Sequence, residues 1–130
     1  MSKKYVLILG VSSGFGKEIA IGYAKKGYNI YGVHLDMGSA GDAVKLFKTE
    51  LEKKYQIRAI FFNGNAAADE TRKGVLEVIA KTEQPHLLHS LVHSLAFGAL
   101  KPFIAADHSE MMTKKQVEMT MDVMANSLVY

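Results

Sequence analysis

Four apolar, strand-like runs alternating with helical segments predict an α/β fold. The runs are continuously apolar, which suits a parallel sheet covered on both faces. The helical segments each carry an apolar stripe, and right-handed crossovers between parallel strands then give a doubly wound sheet. We expect a sheet truncated to about four strands, in the order 3-2-1-4, with flanking helices.

The elements follow in order. Residues 5–9 are a short apolar run halted by Gly10, a buried-strand signal. Across residues 14–26, Phe15, Ile19 and Tyr23, with Ala20 and Ala24, recur at helical spacing, and Gly27 closes the segment. Residues 29–33 form the second strand. Ala40, Val44, Phe47, Leu51 and Tyr55 share one stripe of the second helix. Residues 57–62 are the third strand, and Val75, Leu76, Ile79 and Ala80 mark the third helix. Residues 87–97, apolar nearly throughout, read as the fourth strand. The last helix opens with Thr113-Lys-Lys-Gln116, the spacing of a capping box, and is expected to run to the end of the chain. No repeat, low-complexity tract or linker interrupts the order, so residues 1–130 are expected to form a single domain.

Composition narrows the function classes. The 130 residues are 48% hydrophobic and 22% charged, an ordinary globular balance. The net charge is +3, but the basic doublets Lys3-Lys4, Lys25-Lys26, Lys53-Lys54 and Lys114-Lys115 are scattered, whereas a nucleic-acid binder gathers its charge. There is no cysteine, which excludes disulfides and thiolate metal sites. The N-terminal apolar stretch of about seven residues is at the bottom of the range for a leader and is broken by Gly10 and Ser12, and no run approaches the roughly 20 residues that span a bilayer. A cytoplasmic protein with neither nucleic-acid nor membrane partners is expected.

The sharpest motif is Gly10-Val-Ser-Ser-Gly14-Phe-Gly16, placed where the first strand turns into the first helix. The first glycine permits a tight turn and the second lets a diphosphate approach the backbone. The third lets the helix pack close to the strand. The helix that follows aims free N–H groups and its positive dipole end at an anion. Ser12, Ser13 and Phe15 complete the candidate loop. Glycines can also serve only to turn the chain, but three at this spacing favour phosphate binding.

This spacing, within GVSSGFGKEIAIGYAKKG, resembles the short-chain dehydrogenase/reductase family of Rossmann-type enzymes. A threonine often precedes the family's first glycine, where Leu9 stands here. Leu91-Val-His-Ser-Leu-Ala-Phe-Gly98 occupies the place of the family's Asn-Asn-Ala-Gly stretch, which closes over the cofactor. His93, Ser94, Leu95 and Ala96, together with Asp122-Val-Met-Ala-Asn-Ser127, are similar to the enoyl-acyl-carrier-protein reductase branch, although that branch usually has a longer, less glycine-rich phosphate loop. The resemblance implies an NAD- or NADP-dependent oxidoreductase and nominates Ser94, Leu95 and Ala96 beside the cofactor.

At the end of the second strand, Asp36 lies 20 residues after Gly16, the distance at which an acidic residue receives the ribose hydroxyls of NAD. Alignment on the family puts His34 at that position instead. There a histidine either attracts the extra phosphate of NADP or simply ends the strand. Both cofactors stay open. Asn63 ends the third strand, where the family often sets an aspartate against the adenine, and its amide can still donate or accept a hydrogen bond there. The clustered His86, His89 and His93 raise a metal site. By strand alternation, however, His89 and His93 share a face that excludes His86, and no nearby carboxylate completes a ligand set.

The resemblance also identifies what these residues lack. The family's tyrosine acid and its lysine partner, spaced Tyr-x-x-x-Lys, do not occur, and an unassisted tyrosine near pKa 10 is a poor catalyst at neutral pH. The family's helix-four asparagine falls at Met124, with Asn126 two residues on. The last helix has one apolar stripe of Val117, Met121, Met124 and Leu128, expected to cover the sheet. A second stripe of Met119, Val123 and Tyr130 is expected to face outward. With no stop signal after it, the chain is expected to be the N-terminal, dinucleotide-binding part of a longer reductase of an enoyl or carbonyl group on an acyl substrate. No residue is nominated as catalytic, and the piece alone is expected to be inactive. It is also expected to form homo-oligomers through the outward stripe and the unpaired edge of the fourth strand. The alternatives are a non-catalytic dinucleotide sensor and, further off, a metal-dependent hydrolase using the histidines.

Overall fold

Apolar strands that alternate with amphipathic helices build the expected sheet. The computed structural model describes residues 3–82 and 86–130 and contains β1 (Lys3–Leu9), α1 (Gly14–Lys25), β2 (Asn29–His34), α2 (Ser39–Tyr55), β3 (Ala59–Asn63), α3 (Asp69–Lys81), β4 (His86–His93) and α4 (Lys114–Met124). The strands lie parallel in the order β3-β2-β1-β4. Residues up to Ser94 form one compact unit and residues 95–130 another.

The core of the first unit grows from the central strands. Val6, Ile8 and Ile30 pack with Ala20 and Ala24 of α1 and with Phe47 and Leu51 of α2. Small residues on α1 let it approach the sheet, and Gly27, at φ 80°, ends it while its N–H donates to the Ala24 carbonyl. Tyr5 and Tyr31 stack at 4.6 Å, and the buried Tyr31 hydroxyl donates to Thr82 Oγ1 at 2.6 Å. That burial pushes the Tyr31 phenol above its ordinary pKa.

Several expected details are corrected. Ala40, Leu76 and Ala80, counted on apolar stripes, are exposed; Val44, Phe47, Leu51 and Val75 carry the burial of α2 and α3. The fourth strand ends at His93 rather than residue 97, and Leu87, Leu88 and Leu91 are about half exposed, β4 lying at the sheet edge with β1 as its one strand neighbour among the described residues. A register irregularity inserts His89 as an extra residue between the partners of Tyr5 and Val6. Such a bulge breaks the strict alternation on which the shared face of His89 and His93 depended. The face taken by the His86 side chain lies outside the described residues. No helix is long and apolar enough to cross a membrane among the described residues.

Within residues 95–130, α4 begins at the expected capping box: Gln116 N–H donates to Thr113 Oγ1, and Thr113 N–H donates to Gln116 Oε1. It does not run to the end. It stops at Met124, and Asn126–Leu128 form a 3₁₀ turn. The expected stripes hold only in part: Tyr130 is exposed as expected and Met119 is half-buried. Val123 and Ser127 are buried, while Val117, Met121, Met124 and Leu128 are exposed. The covered face includes two hydroxyls that sequence patterning counts as polar. Thr120 Oγ1 donates to the Gln116 carbonyl and Ser127 Oγ to the Val123 carbonyl, so neither needs water.

Candidate cofactor site

In a parallel sheet every strand ends at the same edge, and here the candidates of the first unit gather along it. Leu9 is in register with Val33 and with His93, and His34 with Asn63. The ends of β1, β2, β3 and β4 therefore bring Gly10, His34, Asn63 and Ser94 to one rim. Ser94 N–H continues the ladder by donating to the Leu9 carbonyl at 2.8 Å. Leu95 and Ala96 open the second unit.

The glycine loop leaves β1 under tight control. Gly10 and Val11 both donate backbone N–H groups to the Val33 carbonyl, at 2.9 and 3.1 Å, and the Val11 side chain is fully buried. A Cβ on Gly16 would stand 1.7 Å from the Gly10 carbonyl oxygen, so α1 crosses β1 at a distance only glycine allows. At Gly14 the requirement is conformational: φ is +55°, and a Cβ would meet no protein atom. Ser12 is half-buried, while Ser13, Gly14 and Phe15 are exposed. Ser13 takes the N-cap position with extended backbone, and no side chain caps the helix. The first-turn N–H groups beside this loop are therefore available to an anion.

At the other end of the rim, His34, Asp36 and Asn63 form one cluster rather than three separate contacts. His34 is buried, and its Nδ1 lies 3.1 Å from Asp36 Oδ2. Asn63 holds the Asp36 backbone from both sides: its Nδ2 donates to the Asp36 carbonyl at 2.7 Å and its Oδ1 accepts the Asp36 N–H at 3.2 Å. These residues line a cleft of about 580 Å³ closed on its other side by α2, with Lys45 and Lys48 in its wall.

Sequence reasoning missed Gly32. A Cβ there would come within 2.7 Å of Val11 Cγ1 and 2.8 Å of the Phe61 ring, so Gly32 makes room for the residue that anchors the loop. A glycine inside an apolar strand was the available signal. Of the histidines, His89 Nδ1 lies 2.8 Å from Ser90 Oγ and its ring packs edge-on to Tyr28. No group of three potential metal ligands occurs among the described residues.

Comparison with known proteins settles the family, because the short chain dehydrogenase family matches residues 4–130. The chain belongs to the short chain dehydrogenase family. Solved structures share this family fold. L-sorbose reductase from Gluconobacter frateurii, complexed with NADPH and L-sorbose, superposes with a TM-score of 0.79 at 23% identity, over 98% of this chain and 44% of that one. A 3-oxoacyl-[acyl-carrier protein] reductase from Brucella melitensis gives 0.72 at 20% identity, over 95% and 45%. An alcohol dehydrogenase from the archaeon Thermococcus sibiricus, complexed with 5-hydroxy-NADP, gives 0.74 at 17% identity, over 94% and 47%. This short chain dehydrogenase sequence thus spans under half the length of these structures. No curated protein matches it.

Proposed function

We propose that residues 1–130 are the dinucleotide-binding domain of an NAD- or NADP-dependent reductase, and the N-terminal part of a longer enzyme. The observation that carries this reading is the loop from Gly10 to Gly16. Gly16 brings α1 against the Gly10 carbonyl, and the uncapped first turn of α1 stands on the same rim as Asp36. A diphosphate would take the N–H groups of the loop and first turn, with Ser12 and Ser13 beside it. Asp36 and His34 would face the adenosine ribose, and Ser94, Leu95 and Ala96 would border the rest of the cofactor. When bound, the cofactor supplies the hydride. The residues on this chain bind and orient it, and none of them is an acid for the substrate, because Tyr-x-x-x-Lys does not occur among them.

The whole protein is read as reducing an enoyl or carbonyl group of an acyl substrate, in the cytoplasm. The similarity to a 3-oxoacyl-[acyl-carrier protein] reductase supports the carbonyl form, and the His93-to-Ala96 stretch supports the enoyl form. Self-association is part of the reading. The exposed stripe of Val117, Met121, Met124 and Leu128 is the surface that supports it.

Titrating the 130-residue chain with NADH and NADPH, followed by cofactor fluorescence, tests the assignment. At least one dinucleotide should bind, with no oxidation of it on adding acyl carbonyl or enoyl thioesters. A folded chain that binds neither, or one that turns either over, contradicts the reading. Light scattering across a concentration series should show species larger than a monomer, and a monomer throughout would remove the oligomer.

A further inference from the structure

Asn63 is the last residue of β3, in register with His34, the last of β2. Past that pair the strands keep pairing, for Gly64 N–H donates to the His34 carbonyl at 2.7 Å. The Asn63 side chain then acts as one more rung. Its two polar ends engage the N–H and the carbonyl of Asp36, just before Gly38, at φ +59°, turns the chain into α2. On the side-chain side, Asp36 Oδ2 meets buried His34. Two contacts therefore fix the Asp36 backbone and a third meets its carboxylate, in the lining of the cleft. The two lysines in the α2 wall both have carboxylates of their own: Lys48 lies 2.5 Å from Glu52, and Lys45 lies 3.9 Å from Asp42.

We infer that Asn63 is a positioning residue that acts through Asp36, holding its carboxylate for the ribose hydroxyls and so selecting the dinucleotide without a 2′-phosphate. This rests on the cofactor reading above. A vicinal diol can donate hydrogen bonds to a fixed carboxylate, whereas a phosphate dianion would face a like charge that the clamped backbone cannot withdraw. Asparagine is the residue the clamp needs. An aspartate of the same shape could accept from the Asp36 N–H, but its second oxygen would oppose the Asp36 carbonyl, acceptor against acceptor.

The test uses the full chain, with NADH and NADPH affinities measured for wild type, Asn63→Asp, Asn63→Leu, Asp36→Ala and the Asp36→Ala/Asn63→Leu double variant. Wild type should prefer NADH by about tenfold or more, and both Asn63 variants should bring the ratio to within about threefold by weakening NADH. In the Asp36→Ala background, Asn63→Leu should change NADH affinity by less than about twofold, because a residue acting through Asp36 has nothing left to position. A wild-type preference for NADPH overturns the inference. So does a ratio that survives loss of the amide, or an Asn63→Leu effect of equal size with and without Asp36. If Asn63→Leu fails to fold, the isosteric Asn63→Asp decides the matter alone. A folded wild type that binds neither dinucleotide overturns the cofactor reading instead.

Discussion

Residues 3–94 and residues 95–130 are both rich in apolar side chains, yet they use them differently. In the first unit Val6, Ile8, Val11 and Ile30 are fully buried. In the second, Leu100 is 100% exposed and Ile104 89%, and among the described residues Val123 and Ser127 are the buried ones. Apolar content does not distinguish the two; a backbone ladder does. Parallel pairing satisfies the main chain of β1 and β2, so their side chains can be covered on both faces by helices. The second unit is ordered locally instead, by the capping box of α4, the Ala99 N–H donating to Thr120 Oγ1, and the turn at Asp107. There the Ser109 N–H and hydroxyl hold the exposed Asp107 carboxyl below its usual pKa. The rim proposed to hold the cofactor belongs with the first kind of order, and the glycine loop, His34, Asp36 and Asn63 all sit on it.

Substitutions should expose this contrast by their size. Gly16→Ala comes first. Its methyl would have to displace the Gly10 carbonyl, so chemical denaturation should show a loss of about 3 kcal/mol together with the loss of dinucleotide binding. Gly14→Ala meets no atom and strains only φ, so it should cost about 1–2 kcal/mol. Equal costs would mean the helix does not approach the strand as described.

Val123→Ala tests whether the second unit has a core of its own, with an expected loss of roughly 2 kcal/mol for a buried aliphatic truncation. Leu100→Ser should change stability by less than about 0.5 kcal/mol. Comparable effects at the two sites would erase the distinction drawn between them.

Tyr31→Phe falls between these in size. It removes one buried hydrogen bond, while Thr82 keeps its donation to the Val78 carbonyl, so the cost near neutrality should be about 1 kcal/mol. The pH dependence has a definite sign. Burial raises the folded-state pKa, so the neutral phenol contributes stability that is complete below the ordinary value near 10. That stability is lost as pH rises through the folded value. The variant should therefore unfold less steeply than wild type on the alkaline side in a pH series of melting curves. Parallel alkaline limbs would remove Tyr31 as the cause.

Much of this protein is determined by the sequence alone. Apolar runs at strand length, stripes at helical spacing and three glycines between the first strand and first helix are local patterns. Short-range sterics and the hydrophobic effect suffice to interpret them, and they predict the sheet and nominate the glycine loop, while the family was legible through the resemblance that the loop segment carries. Tertiary structure decided the rest, because the deciding partners are distant in the chain. Asp36 and Asn63 are 27 residues apart and meet only because parallel pairing aligns β2 with β3. Gly32 has meaning only once Val11 and Phe61 close on it. Val123 is buried where Val117 and Met121 are exposed, and Ser127 can be buried beside it because its hydroxyl donates to the Val123 carbonyl, as Thr120 Oγ1 does to the Gln116 carbonyl. Hydrophobic pattern counts side chains as polar or apolar. Burial depends on whether each polar atom finds a partner, and that is a property of the folded chain.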